Sequence, residues 1–86
     1  MQINAKKGSK KIQITTIKRA KVKIQLNKKL FKKGGKKVRT VTISANKNKK
    51  GKITVRLTKK IPKKTRIKVT VSKAGYKTKK KTRKIK

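Results

Sequence analysis

The chain has 86 residues, of which 34 are Lys or Arg and none is Asp, Glu or His, so its formal charge is +34. An average domain is about a quarter charged, with acids supplying roughly half of that, so about ten acidic side chains are missing. Their absence excludes carboxylate or imidazole acid–base catalysis. With no Cys either, it also excludes the usual side-chain metal ligands, disulfides and ion pairs between side chains.

Length allows one domain over residues 1–86, with an expected radius of gyration of about 12 Å. Salt screens charges only beyond roughly 8 Å at physiological ionic strength, and neighbouring lysines on one face lie closer than that. Low hydrophobicity with extreme charge ordinarily predicts disorder. Leu, Ile, Val and Phe number 20, just above the threshold of about 20% below which chains stay disordered. Order must therefore come from how these residues are arranged.

A short run, Gln2 to Ala5, precedes the basic turn Lys6-Lys7-Gly8-Ser9. Ile12 and Ile14 then alternate with Lys11, Gln13 and Thr15. From Lys21 to Leu26, Val22, Ile24 and Leu26 face one way while Lys21, Lys23 and Gln25 face the other. Leu30 and Phe31 lead into Lys32-Lys33-Gly34-Gly35, read as a turn, with Phe31 expected to cap one side of the core. Val41, Ile43 and Ala45 alternate with Thr40, Thr42 and Ser44. Asn46 to Gly51 reads as a loop whose Asn and Gly tolerate positive φ. Ile53, Val55 and Leu57 alternate over Lys52–Leu57, and Ile61-Pro62 ends that strand. Ile67, Val69 and Val71 repeat the pattern over Arg66–Val71, and Ala74-Gly75-Tyr76 turns the chain back. The last segment, Lys77 to Lys86, has only Ile85 as an aliphatic. It reads as an edge strand whose lysines block pairing with another chain.

Strict period-two alternation marks half-buried strands. Ile, Val and Thr total 26 residues against three Leu and four Ala, a bias toward strand over helix. Short strands every 10 to 14 residues predict an all-β antiparallel sandwich or barrel. The expected core is Ile3, Ile12, Ile14, Val22, Ile24, Leu26, Val41, Ile43, Ile53, Val55, Leu57, Ile67, Val69, Val71 and Tyr76, with the Tyr76 ring over the sandwich end. Met1 is followed by polar and basic residues, so neither a signal peptide nor a membrane span is expected.

The motifs resemble those of bacterial immunoglobulin-like repeat domains. The opening "ITTIKRAKVKIQL" looks like that family's early strand, turn and "AKVxI" strand; "VRTVTISANKNKKGKITVRL" is similar to its central hairpin; and "IPKKTRIKVTVSKAGYK" is similar to its late strands. The resemblance covers Gln2 to about Lys86 and implies an immunoglobulin-like antiparallel β-sandwich of about seven strands. The family's turns are rich in Asp, whereas here Asn46, Lys47, Asn48, Lys49 and Lys73 stand in those places, which excludes a calcium-stabilised turn. The resemblance therefore implies an engineered, positively supercharged domain whose acids were replaced by Lys, Asn, Gln or Thr. Two other readings stand beside it: a natural basic protein of ribosome or chromatin, and a secreted repeat module of a bacterial surface protein. The family itself implies an extracellular or cell-surface parent.

Lys outnumbers Arg by 29 to five, whereas readers of nucleic acid lean on the planar Arg fork. Phe31 and Tyr76 are the only aromatics, so bases find no stacking platform. The zinc-finger, RNA-recognition-motif and KH signatures are missing. Ser9-Lys10 and Ser72-Lys73 are the sole candidates for a Ser–Lys dyad, but one serine lies in a turn and the other at a strand end, so no enzyme, cofactor or specific small molecule is expected. The expected activity is nonspecific binding of nucleic acid or other polyanions by a monomer. The diffuse contacts are Lys21, Lys23, Lys52, Arg56, Arg66, Lys68, Lys79, Lys80 and Lys81.

Overall fold

The alternating runs fold as strands. In the computed structural model, which describes residues 1–85, these are β1 (Gln2–Asn4), β2 (Lys11–Thr15), β3 (Lys21–Leu26), β4 (Phe31–Lys33), β5 (Lys36–Val38), β6 (Thr40–Ile43), β7 (Lys52–Arg56), β8 (Arg66–Ser72) and β9 (Lys79–Lys84). A single 3-10 turn, Ala45–Lys47, lies between β6 and β7, and no α-helix occurs among the described residues. One sheet has the order β1-β2-β7 and a second the order β6-β3-β8-β9, while β4 and β5 form a separate hairpin. All pairing is antiparallel, so the chain is all-β.

The two larger sheets share one core. In the first, Ile3 stands opposite Ile14 and Ile14 opposite Ile53. In the second, Val22, Ile24 and Leu26 of β3 stand opposite Val71, Val69 and Ile67 of β8. Each such side chain contributes roughly 1.5–3 kcal/mol on full burial. The intervening Lys, Arg, Thr and Gln keep their polar ends in water. The radius of gyration is 12.3 Å, so the charge does not expand the chain beyond ordinary compactness.

The core differs from expectation at its margins. Val41, Ile43 and Val55 are only partly buried; all three lie on the edge strands β6 and β7. Tyr76 is 57% exposed. The turn that closes on Tyr76 N–H donating to the Lys73 carbonyl at 3.0 Å lifts its ring off the sandwich end, where the Lys73 ammonium lies 5.2 Å from the ring centroid. Phe31 is buried, as expected, and it is joined by Ala5, Ala20, Leu30, Ile61 and Ile85. Ile61 does more than end a strand: its N–H donates to the Ser9 carbonyl at 2.8 Å and its own carbonyl accepts from Gly8 N–H at 2.9 Å.

Two loops also differ. Lys32 and Lys33 belong to β4, and the turn is only Gly34-Gly35, with φ of +58° and +81°. Positive φ at both central residues is the requirement of a two-residue type I′ hairpin turn, which glycine meets without strain. In the Asn46–Gly51 loop the only positive φ belongs to Gly51, at +77°. A β-carbon there would lie 2.5 Å from the Thr16 carbonyl oxygen, so the position accepts no side chain.

Asn48 is fully buried and works as a junction rather than a flexible loop residue. Its Nδ2 donates to the carbonyls of Ile17 at 2.9 Å and Ala20 at 3.0 Å, while its Oδ1 accepts from Gly51 N–H at 3.0 Å. Asn27 repeats the device, donating to the Lys64 carbonyl and accepting from Arg66 N–H. A carboxylate has no hydrogen to donate. At the buried Asn48 an Asp would leave two carbonyls without their donor, so the geometry there calls for an amide, whereas Asn27 makes the same kind of bonds in contact with water.

Candidate polyanion-binding surface

Alternation sorts the cations by face. On the outer face of the four-stranded sheet, β3 presents Lys21 and Lys23, β8 presents Arg66 and Lys68, and β9 presents Lys80. Lys23 and Lys80 both stand opposite Thr70 from its two sides, so they lie along one line across the strands. Arg66 faces Lys84 directly. Lys52 and Arg56 lie on the outer face of the other sheet, opposite Thr15 and Lys11. Five of the nine expected contacts are thus brought onto one surface and two onto the opposite one.

Lys79 and Lys81 belong to neither outer face. They stand opposite Val71 and Val69, whose side chains enter the core, and directly opposed residues of an antiparallel pair project to the same side. Their inward face is nevertheless exposed along the whole of β9, because β9 is the edge of its sheet. Arg83, opposite Ile67, shares that face and was not singled out by sequence. Its signal was present: it is one of five arginines, and it falls two residues beyond Lys81.

With no side-chain carboxylate to hold them, several ammonium groups turn to backbone carbonyls. Lys28 Nζ donates to Lys63 at 3.1 Å, Lys73 Nζ to Lys18 at 2.8 Å and Lys81 Nζ to Met1 at 3.2 Å. A charged donor shortens and strengthens a hydrogen bond to a carbonyl oxygen.

Of the two serines with a lysine neighbour, Ser9 is engaged in its own turn. Ser9 Oγ donates to the Lys11 carbonyl at 3.2 Å and accepts from Lys11 N–H at 3.3 Å, a local turn that the hydroxyl closes. Ser72 ends β8 opposite Lys21. Among the described residues no helix is long and apolar enough to cross a membrane.

What this arrangement can do chemically is present positive charge on both broad faces and along one edge, carried by long solvated stems. Phe31 is buried and Tyr76 sits under the Lys73 ammonium, so neither ring is laid out beside the cationic faces for stacking. No family model matches the chain, and no curated protein or solved structure matches it.

Proposed function

We propose that this chain is an immunoglobulin-like sandwich in an engineered, all-basic form, and that its activity is nonspecific capture of polyanions by charge. The observation that carries the reading is the conjunction of an empty acid class with an intact apolar pattern: 34 cations and no Asp or Glu surround a core built from strictly alternating strands. The connectivity supports the fold type. Immunoglobulin-like sandwiches place their first, second and fifth main strands in one sheet and the third, sixth and seventh in the other. Here β1, β2 and β7 form one sheet and β3, β8 and β9 lie in the other. If β4 and β5 are set aside as an inserted hairpin, seven strands remain, and β6 joins β3 rather than β7. Replacement of acids does not extend to the buried Asn48, whose two donated bonds require an amide.

Binding proceeds by counterion release, so affinity falls linearly on a logarithmic salt scale with a slope near −0.9 per phosphate neutralised on duplex DNA. The domain acts as a monomer without cofactor or catalysis, its self-repulsion opposing contact between copies. The test is competition at about 150 mM salt among DNA, RNA and heparin of matched charge. Near-equal competition with a steep salt slope supports the reading. One nucleic-acid sequence bound 100-fold better than its scramble, a gap of roughly 2.7 kcal/mol, overturns it in favour of a natural basic protein of ribosome or chromatin.

A further inference from the structure

The two sheets leave a groove where β1 ends. Asn4, Lys6, Ser9, Lys11, Gln13 and Arg83 line a hollow of about 440 Å³. A second hollow of about 580 Å³ shares Ala5, Lys6 and Arg83 with it and continues past Lys7, Thr82 and Lys84. Together they make one shallow, open groove lined from the three-stranded sheet, the loop after β1, and β9. The cations along it come from three separate parts of the chain: Lys6 and Lys7 from the loop after β1, Lys11 from β2, and Arg83 and Lys84 from β9.

We propose that this groove is the preferred seat for a linear chain of phosphate groups, a site more selective than the surrounding charge. The proposal rests on the polyanion reading above and adds a location and a ligand class to it.

Six features argue for it. A hollow lined by one sign of charge focuses the field more strongly than a flat face, and this one is larger than the hollow of about 290 Å³ that Lys21 and Lys23 help to line on the outer face. The cations are divided between the two adjoining hollows, with Lys11 in the first, Lys7 and Lys84 in the second, and Lys6 and Arg83 in both, which suits successive charges on a chain better than a lone ion. Arg83 supplies the one guanidinium there, whose planar fork engages phosphate oxygens two at a time. Asn4 and Gln13 are direct cross-strand partners, so two neutral amides stand side by side in the same hollow to donate further hydrogen bonds. Among the described residues the side chains of Lys6, Lys11 and Arg83 donate to no acceptor of the protein, unlike those of Lys28, Lys73 and Lys81. The groove contains no aromatic ring, so it offers bare phosphates what they need and offers bases or sugar rings no face to stack on.

The probe is tripolyphosphate, titrated at about 150 mM salt and followed by NMR. The side-chain amides of Asn4 and Gln13 report from the groove; those of Gln25 and Asn46, exposed elsewhere, report from outside it. The expected result is saturable shifts at Asn4 and Gln13 with little movement at Gln25 and Asn46. The triple variant Lys6→Gln, Lys11→Gln, Arg83→Gln is then compared with Lys21→Gln, Lys23→Gln, Lys68→Gln, which removes the same charge from an outer face. All six residues are exposed, and circular dichroism checks that both variants fold. The groove variant should lose about 30-fold in affinity, roughly 2 kcal/mol, and the outer-face variant about 3-fold at most. Equal losses, or shifts spread over all four amides, overturn the groove while leaving polyanion capture standing. Failure of the parent chain to bind tripolyphosphate, heparin or DNA overturns both.

Discussion

The four-stranded sheet ends in two edges made on opposite plans. β6 reads Thr40-Val41-Thr42-Ile43, without a charge, and tucks Val41 and Ile43 partly into the core. β9 reads Lys79-Lys80-Lys81-Thr82-Arg83-Lys84, five cations in six residues, and every one of its side chains is exposed. Yet β9 makes six register pairs with β8, and β6 makes four with β3. An edge strand therefore needs no apolar face of its own when its neighbour's ladder and an anchor hold it. For β9 the anchor is Ile85, buried just past the strand, with its N–H donating to the Thr65 carbonyl at 2.8 Å and its carbonyl accepting from Lys64 N–H at 2.9 Å. The inward-facing charges of β9 are a recognised defence against edge-to-edge pairing. β6 has no such defence and relies on the repulsion of the whole molecule.

The largest expected effect lies at the junction after β6. Asn48→Asp lowers the net charge, yet it loses two donated bonds and sets a carboxylate against the carbonyls of Ile17 and Ala20, at a cost of about 3 kcal/mol. Lys49→Asp, exposed next door, should leave stability unchanged or raise it. Urea unfolding of the two variants checks the pair, and an Asn48→Asp protein as stable as its parent would show that charge outweighs geometry even in the buried junction.

Next comes the anchor of the other edge. Ile85→Ala should cost about 2–3 kcal/mol as a core truncation. The loss should be local: amide exchange should quicken along β9 while β6 keeps its protection. Uniform quickening over both edges would mean that β9 is not separately anchored.

Salt should act on the two edges in different ways. Raising it from about 10 to 500 mM screens repulsion and should raise the melting temperature by roughly 5 °C, equivalent to about 1 kcal/mol for a domain of this size. The same screening bares β6, so light scattering should detect association at high salt that Thr42→Lys suppresses, whereas Thr82→Lys on β9 leaves it unchanged. A melting temperature that falls with salt would show that repulsion does not limit stability.

The smallest effect belongs to the β4–β5 hairpin. Lys32 stands opposite Lys37, and Lys33 opposite Lys36, and directly opposed like charges destabilise a sheet. Lys37→Glu should therefore stabilise by about 0.5 kcal/mol, read as a small rise in the unfolding midpoint.

Much of this was legible in the residues. Alternation located β2, β3, β7 and β8 because each buries one face. It was silent at β4 and β5, where lysines occupy both faces and only Gly34-Gly35 gives a signal. Ile61 and Ile85 were undervalued because each is a lone aliphatic whose worth comes from bonds to distant loops. Asn48 was read as a turn former because its partners, Ile17 and Ala20, lie far off in sequence. The cations of the candidate surface could be read directly. The groove could not, since Lys6 and Arg83 come from opposite ends of the chain and nothing local to either reports the other.

The ammonium-to-carbonyl bonds of Lys28, Lys73 and Lys81 carry a consequence for how the sequence tolerates change. Each joins segments remote in the chain: the loops around residues 28 and 63, those around 73 and 18, and β9 with the first residue. A salt bridge is a private arrangement between two residues, and losing one strands the other. A carbonyl belongs to the backbone and persists through any substitution, while a lysine stem is long enough for a neighbouring lysine to take its place. Lys29, Lys77 and Lys79 lie within a few residues of the present donors, Lys79 on the same inward face of β9 as Lys81. The tethers are thus interchangeable, and the molecule gains from its single-signed surface a redundancy that matched charge pairs do not provide.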